Sequence, residues 1–254
     1  MSLYTSSGTP ASPPGRPDRF ARLPLHAELY LLAHDDDTGR AHLHEKSLAV
    51  GLAGAILLEL CLARRAAVGW TYHPLIQDWD RTPGRITLAS TSEPADPLAA
   101  AALAAIAQVP GNDQQLRVWL RAFAAGDLYH RVRAHMLTVG LLRRVTRRRL
   151  AVLTTDTYLA ADHAWAVRTR AQLRTAADDA ETCRHTPGQV PDTQCAALCG
   201  LVHVMELAPF LYIGDSARMH RRLGEIGAQH DPTIHEVMAA VDAGRGDLAV
   251  AAMG

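Results

Sequence analysis

Apolar positions run from Leu48 to Ala63 with one charged interruption, Glu59. A helix-length segment that is apolar on every side is buried in a core or in a bilayer. These 16 residues fall short of the roughly 20 that span a hydrocarbon core, and Glu59 would lie inside it. The pattern therefore predicts the central buried helix of a folded domain. Gly51 and Gly54 lie three apart on roughly one face, where they would let a neighbouring backbone approach. Each costs about 1 kcal/mol of helix propensity against Ala, so packing must compensate.

The remaining pattern is mostly helical. Leu25 to Ala33 predicts a helix, Asp35 to Gly39 a turn, and His42 to Glu45 a short extended piece. Val68 to Ala89 carries Trp, Tyr, Ile and Thr around Pro74 and predicts a hairpin with its turn at Pro83-Gly84. Asp96-Pro97 opens an Ala-rich helix to about Gln108, with Asp96 as N-cap and Pro97 at the first position. Helices follow over Leu116 to Phe123 and Leu128 to Val139, the second ended by Gly140. Leu141 to Val145 and Leu150 to Thr154 predict a second hairpin around an arginine turn. Further helices are expected over Asp162 to Ala180, Cys195 to Tyr212 (interrupted by Pro209), Arg218 to Gly227 and Ile234 to Ala243. The expected fold class is mainly α. A single globular domain, 23–254, would place helices around a central buried bundle with two small β-hairpins.

Composition sharpens this picture. Apolar residues make up 48% of the chain and aromatics 5%, an Ala- and Leu-rich mixture that favours helices. Residues 1–22 are rich in Ser, Pro and Gly and lack an apolar targeting segment, so a disordered N-terminal tail is expected. The formal charge is zero. Its distribution is uneven, because Leu128 to Thr155 holds seven arginines and no acid. Cys61, Cys183, Cys195 and Cys199 form no CxxC pair, consistent with reduced thiols in a cytoplasmic protein.

The order of these pieces resembles the Golgi phosphoprotein 3 family. The matching residues are Thr38-Gly39-Arg40, Gly51-Leu-Ala-Gly-Ala-Ile-Leu-Leu-Glu-Leu60 and Ala63-Arg-Arg65. Pro94-Ala-Asp-Pro-Leu98, then Trp119 with Val139-Gly140-Leu-Leu142, and Pro191-Asp192 leading to Leu198-Cys-Gly-Leu-Val-His203 follow in order. The resemblance covers about residues 23 to 243. It implies a helical, peripheral membrane protein; eukaryotic members bind phosphatidylinositol 4-phosphate and act as sorting adaptors. It also implies a hairpin that contributes to self-association, hence a homo-oligomer through the second hairpin. The family's headgroup pocket uses a tryptophan and three arginines. Those positions fall here on His44, Ala53, Gly126 and Tyr129, while Arg131 matches an adjacent family arginine. The resemblance thus carries the fold and the membrane association, and not the phosphoinositide specificity.

The strongest remaining chemical feature is Arg143, Arg144, Arg147, Arg148 and Arg149 on the second hairpin. Each basic residue near an anionic membrane surface is worth about 1 kcal/mol. With Arg131 and His44, these are the expected lipid- or anion-binding residues of a peripherally membrane-associated protein. The alternative is an adaptor that grips acidic segments of partner proteins with the same patch. Nucleic acid is not expected as a partner, since the net charge is zero and no aromatics interleave the arginines. Two groups offer metal-ligand chemistry: Cys195, Cys199 and His203 with Cys183 and His185, and His34, Asp35, Asp36 and Asp37 with His42 and His44. Buried thiols and a polar turn explain both groups, so no metal or other cofactor is expected. No GxSxG, Walker A, GxGxxG or HExxH motif occurs, and the chain reads as non-enzymatic.

Overall fold

The computed structural model describes residues 22–73, 78–108, 114–149, 153–182 and 192–253. The tail expected over 1–22 lies outside them except for Arg22, whose guanidinium pairs with Asp192 at 2.5 Å. Helices α1 (Leu25–Leu32) and α2 (Glu45–Leu62) are followed by strands β1 (Ala66–His73) and β2 (Asp78–Leu88). Next come α3 (Pro97–Ala107), the short β3 (Gln114–Gln115), α4 (Leu116–Ala125) and α5 (Leu128–Thr138). Strands β4 (Leu142–Arg149) and β5 (Leu153–Ala160) precede α6 (Ala164–Thr182), α7 (Thr193–Val204), α8 (Ala208–Leu211), α9 (Ser216–His230) and α10 (Pro232–Met253). The fold is mainly α, with one three-stranded and one two-stranded antiparallel sheet among the described residues. No described helix is long and apolar enough to cross a membrane.

Helix α2 is the hub, buried from Leu48 through Leu58 and packed by α1, α3, α4, α5, α7 and α10. Its two glycines sit where neighbours come closest. A Cβ on Gly51 would stand 2.7 Å from Met205 Sδ, and one on Gly54 2.5 Å from Val241 Cγ2. Helix α7 is buried in the same way from Cys195 to Val202 and crosses α9 where Gly200 faces Gly227. Local signals place several helix ends. Asp96 Oδ1 accepts from the N–H groups of Leu98 (2.9 Å) and Ala99 (2.8 Å), as expected of an N-cap before Pro97. Gly140, at φ +75°, ends α5 with Leu141 N–H donating to Met136 O at 2.8 Å, the 6→1 bond of a Schellman close.

Three expectations are corrected. Pro83-Gly84 is not the first hairpin's turn. It lies inside β2 at a register shift opposite Gly69, where the Glu236 carboxylate of α10 accepts from Gly84 N–H at 2.9 Å. The antiparallel register runs on to His73 opposite Asp78, and Pro74 lies outside the described residues. Nor do the second hairpin's arginines form a turn. Residues 142–149 pair one for one with 160–153, so all five arginines belong to β4. The long helix expected to 212 stops at Val204, because Glu206 takes a left-handed φ of +55° and Leu207 N–H returns to Val202 O at 3.1 Å. Pro209 then sits in the first turn of α8, starting that helix rather than breaking the previous one.

Few polar groups enter the core, and two of them oppose each other in pH dependence. Glu28 is buried, with Gln194 Nε2 donating to its carboxylate at 3.2 Å, and burial pushes its pKa up to about 7, only partly countered by Arg22. Burial holds His34 down at about 4, with His42 and Arg133 adding to that effect against its bond to Tyr30 O. A carboxyl raised in the folded state contributes stability that is present below its unfolded pKa and lost as pH rises through the folded value. His34 contributes in the other sense, losing stability as pH falls below about 6.5. Comparing Glu28→Gln with the wild type cancels the histidine. Between pH 5 and pH 9 the variant should gain roughly 2–3 kcal/mol relative to wild type in urea unfolding. A pH-independent difference would show that Glu28 ionises normally.

Candidate functional site

The second hairpin leaves the core quickly. Leu142, Leu159 and Ala160 at its base are buried, whereas Arg143, Arg144 and Thr146 are exposed. An eight-residue strand rises about 26 Å, and it packs against α5. Strand pleating divides the arginine positions: 144 and 148 fall on one face, and 143, 147 and 149 on the other. Arg144 is partly neutralised. Its Nη2 lies 2.7 Å from Asp156 Oδ2, and Asp156 Oδ1 accepts from Thr146 Oγ1 at 2.8 Å. The Thr146 bond, followed by the Arg144 guanidinium, holds the Asp156 carboxyl below its usual range.

Two contacts set the hairpin's base. Arg133 of α5 lies between two rings, 5.4 Å from the Tyr129 centroid and 4.4 Å from that of Tyr158 on β5. The same guanidinium donates to His130 Nδ1 at 2.9 Å, which directs Nε2 toward Glu45 (3.6 Å) and Asp127 (3.7 Å). On the other side, the turn over 35–42 packs on β5. Gly39 has φ +64°, and a Cβ there would meet the Tyr158 carbonyl oxygen. Asp35 Oδ1 builds this turn by accepting from Thr38 N–H (2.8 Å), Thr38 Oγ1 (2.7 Å) and Asp37 N–H (3.2 Å). Asp36 pairs with Arg170 of α6.

The same turn reaches α8. His42 stacks on Phe210 with ring centroids 4.6 Å apart. Phe210 is 46% exposed and Ile213, in the following turn, 93%. Tyr212 between them is buried, its hydroxyl donating to Arg170 O at 3.0 Å. An apolar pair thus stands beside the turn that supports the arginine hairpin.

The other expected site residues do not join this surface. Arg131 is exposed on α5 and lies 5.8 Å over the Phe123 ring of α4. His44 caps α2, its Nδ1 accepting from Lys46 N–H at 3.2 Å. It opens onto a cleft of about 850 Å³ that it shares with Lys46, Glu206, Asp242 and Arg245. Tyr129 is buried, with its hydroxyl donating to His34 Nε2 at 2.9 Å while His34 Nδ1–H donates to Tyr30 O at 2.7 Å. His44, Tyr129 and Arg131 therefore line no common pocket among the described residues. The acid-rich turn is closed by its own hydrogen bonds and by Arg170 rather than left open as a cation cage. In α7, Cys195 and Cys199 are buried free thiols that share a side-chain hydrogen bond, and His203 Nδ1–H donates to His220 O at 2.9 Å. Cys183 and His185 lie outside the described residues.

Sequence reasoning missed Arg133, Tyr158, Phe210 and Ile213. Arg133 lay within the acid-free arginine-rich stretch, so its charge was visible. That it braces the hairpin between two tyrosines requires the α5–β5 contact. A family model described as Golgi phosphoprotein 3 matches residues 25–243. No curated protein matches the chain.

Proposed function

The chain belongs to the Golgi phosphoprotein 3 family, and on that premise we propose that it is a non-catalytic, peripheral membrane protein. In this reading the β4–β5 hairpin docks on anionic lipid headgroups, with Arg143, Arg144, Arg147, Arg148 and Arg149 as the contacting residues. The observation that carries the reading is the juxtaposition on one scaffold. The arginine strand pairs with β5, which the turn over 35–42 packs against, and Phe210 stacks on His42 of the same turn, with the exposed Ile213 three residues further on. Arginines attract a negative surface, and two apolar side chains can enter the headgroup boundary beside them. The domain is cytoplasmic and needs no cofactor for this. Arg131 and His44 act at most as outlying contacts, because each faces a different neighbour. Self-association through the hairpin would add a second arginine strand and raise avidity.

Vesicle co-sedimentation tests this directly. The protein should bind phosphatidylserine-containing vesicles at about 0.1 M salt, and release should be nearly complete at about 0.5 M, where the Debye length is roughly halved. Neutral vesicles should retain little. Equal binding to neutral and anionic vesicles would refute a charge-driven mechanism. Absence of binding to any vesicle would turn the arginine strand over to acidic segments of partner proteins.

A further inference from the structure

Glu59, the lone charge in the apolar stretch of α2, has a specific job. His26 of α1 is buried, and its Nδ1 lies 2.9 Å from Glu59 Oε1 and 3.1 Å from Oε2. The His26 backbone N–H also donates to Glu59 Oε1 at 2.8 Å. A carboxylate acceptor at Nδ1 requires the proton there, which leaves the Nε2 lone pair of the neutral ring directed away from Glu59. That Nε2 is buried and has no hydrogen-bond partner among the described residues. Such an orphan atom in a buried position calls for an explanation.

Two further ligand atoms converge on it from other elements. Asp96 Oδ2 lies 3.9 Å from His26 Nε2, and His135 Nε2, in the last turn of α5, lies 3.2 Å from the same oxygen. The three atoms all fall within 4.8 Å of one another. Asp96 is held by its other oxygen, which caps α3, so Oδ2 remains free to face the histidines. In a tetrahedral site with bonds of about 2.0–2.1 Å, neighbouring ligand atoms stand about 3.3 Å apart. The Asp96–His135 separation, 3.2 Å, already has about that value; His26–Asp96, at 3.9 Å, closes by about 0.6 Å, and His26–His135, within 4.8 Å, by up to about 1.5 Å.

We propose that His26 Nε2, Asp96 Oδ2 and His135 Nε2 bind one divalent transition-metal ion of the zinc class. Two imidazoles with one carboxylate suit zinc and its neighbours rather than magnesium or calcium. Glu59 is the outer carboxylate that fixes the tautomer and orientation of His26, the arrangement commonly found behind metal-bound histidine. Asp96 and His135 are 18% and 19% exposed at the side chain, which leaves a fourth position open to water. The ion would tie α1, α3 and α5 together, with α2 behind it, and is independent of lipid binding by the hairpin.

The test is calorimetric titration of the chelator-stripped full chain with Zn²⁺, and separately the visible spectrum of the Co²⁺ form. One ion per chain should bind, and Co²⁺ should give the intense bands of a tetrahedral site. Replacing a ligand in His135→Ala should weaken binding at least about 100-fold. Glu59→Gln, which keeps a hydrogen-bond acceptor, should weaken it about 10- to 100-fold. Circular dichroism of metal-free His135→Ala should match metal-free wild type, which separates ligand loss from misfolding. Failure of the wild type to bind stoichiometrically overturns the proposal. So does unchanged affinity in a folded His135→Ala, which would assign binding to other histidines or thiols.

Discussion

Replacing Arg143, Arg144, Arg147, Arg148 and Arg149 together by serine is expected to lower partition onto anionic vesicles about 10³-fold at low salt. Each basic residue near such a surface is worth about 1 kcal/mol. Arg144 already spends part of its charge on Asp156 at 2.7 Å, so roughly four charges count, and about 4 kcal/mol is a factor of about 10³. The variant should also lose its salt dependence, because what remains is apolar contact by Phe210 and Ile213. Folding should be nearly unaffected. Arg143 and Arg144 are exposed, and exposed ion pairs such as Arg144–Asp156 contribute little to stability. Co-sedimentation across a salt series reads both the drop and the slope. A variant that binds as tightly as wild type, with the same slope, would remove the hairpin from the membrane contact.

The second large effect lies in the core. Gly227→Ala is expected to destabilise the fold by about 1–2 kcal/mol, lowering the thermal midpoint by about 2–8 °C for a domain of this size. Two terms compete. Alanine improves helix propensity by about 1 kcal/mol. Its Cβ, however, would stand 2.6 Å from Gly200 Cα and 2.9 Å from Gly200 N, and 2.8 Å from Met238 Sδ. Met238 can move, but the α7 backbone can yield only by separating the α7–α9 crossing, and overpacking of this kind costs about 1–3 kcal/mol or more. Gly246→Ala on α10 isolates the other term, because a Cβ there meets nothing within 4 Å among the described residues. It should stabilise the fold by up to about 1 kcal/mol. Opposite signs for one chemical change at two helical glycines, measured by thermal unfolding, would establish that contact decides; equal signs would refute the close approach.

Much of the fold was legible because its causes are local. An apolar run with one charge marks a buried helix wherever it occurs, and Asp96-Pro97 starts a helix through atoms two and three residues away. Gly140 ends α5 for the same kind of reason. The arginine cluster was equally visible, since charge density along the chain needs no coordinates. Its shape was not. Alternation in β4 is weak where arginine follows arginine, so no period distinguished a strand from a turn. Pro83-Gly84 has the composition of a reversal, but its conformation is also suited to a bulge, and Glu236 of α10 supplies the partner that makes it one.

What the sequence determined by itself, then, is the set of segments, their apolar faces and the family to which they belong. Tertiary structure decided which polar groups meet. Glu59 could be read as a lone charge in an apolar helix, yet nothing along the chain tied it to His26, or His26 to Asp96 and His135. Arg133 was one arginine among seven until Tyr129 and Tyr158 closed on it. Hydrogen-bond and capping rules act within a turn or two of helix and leave a pattern in sequence. A buried polar group instead takes its partner from whichever element packs against it, and that choice is made only when the helices meet.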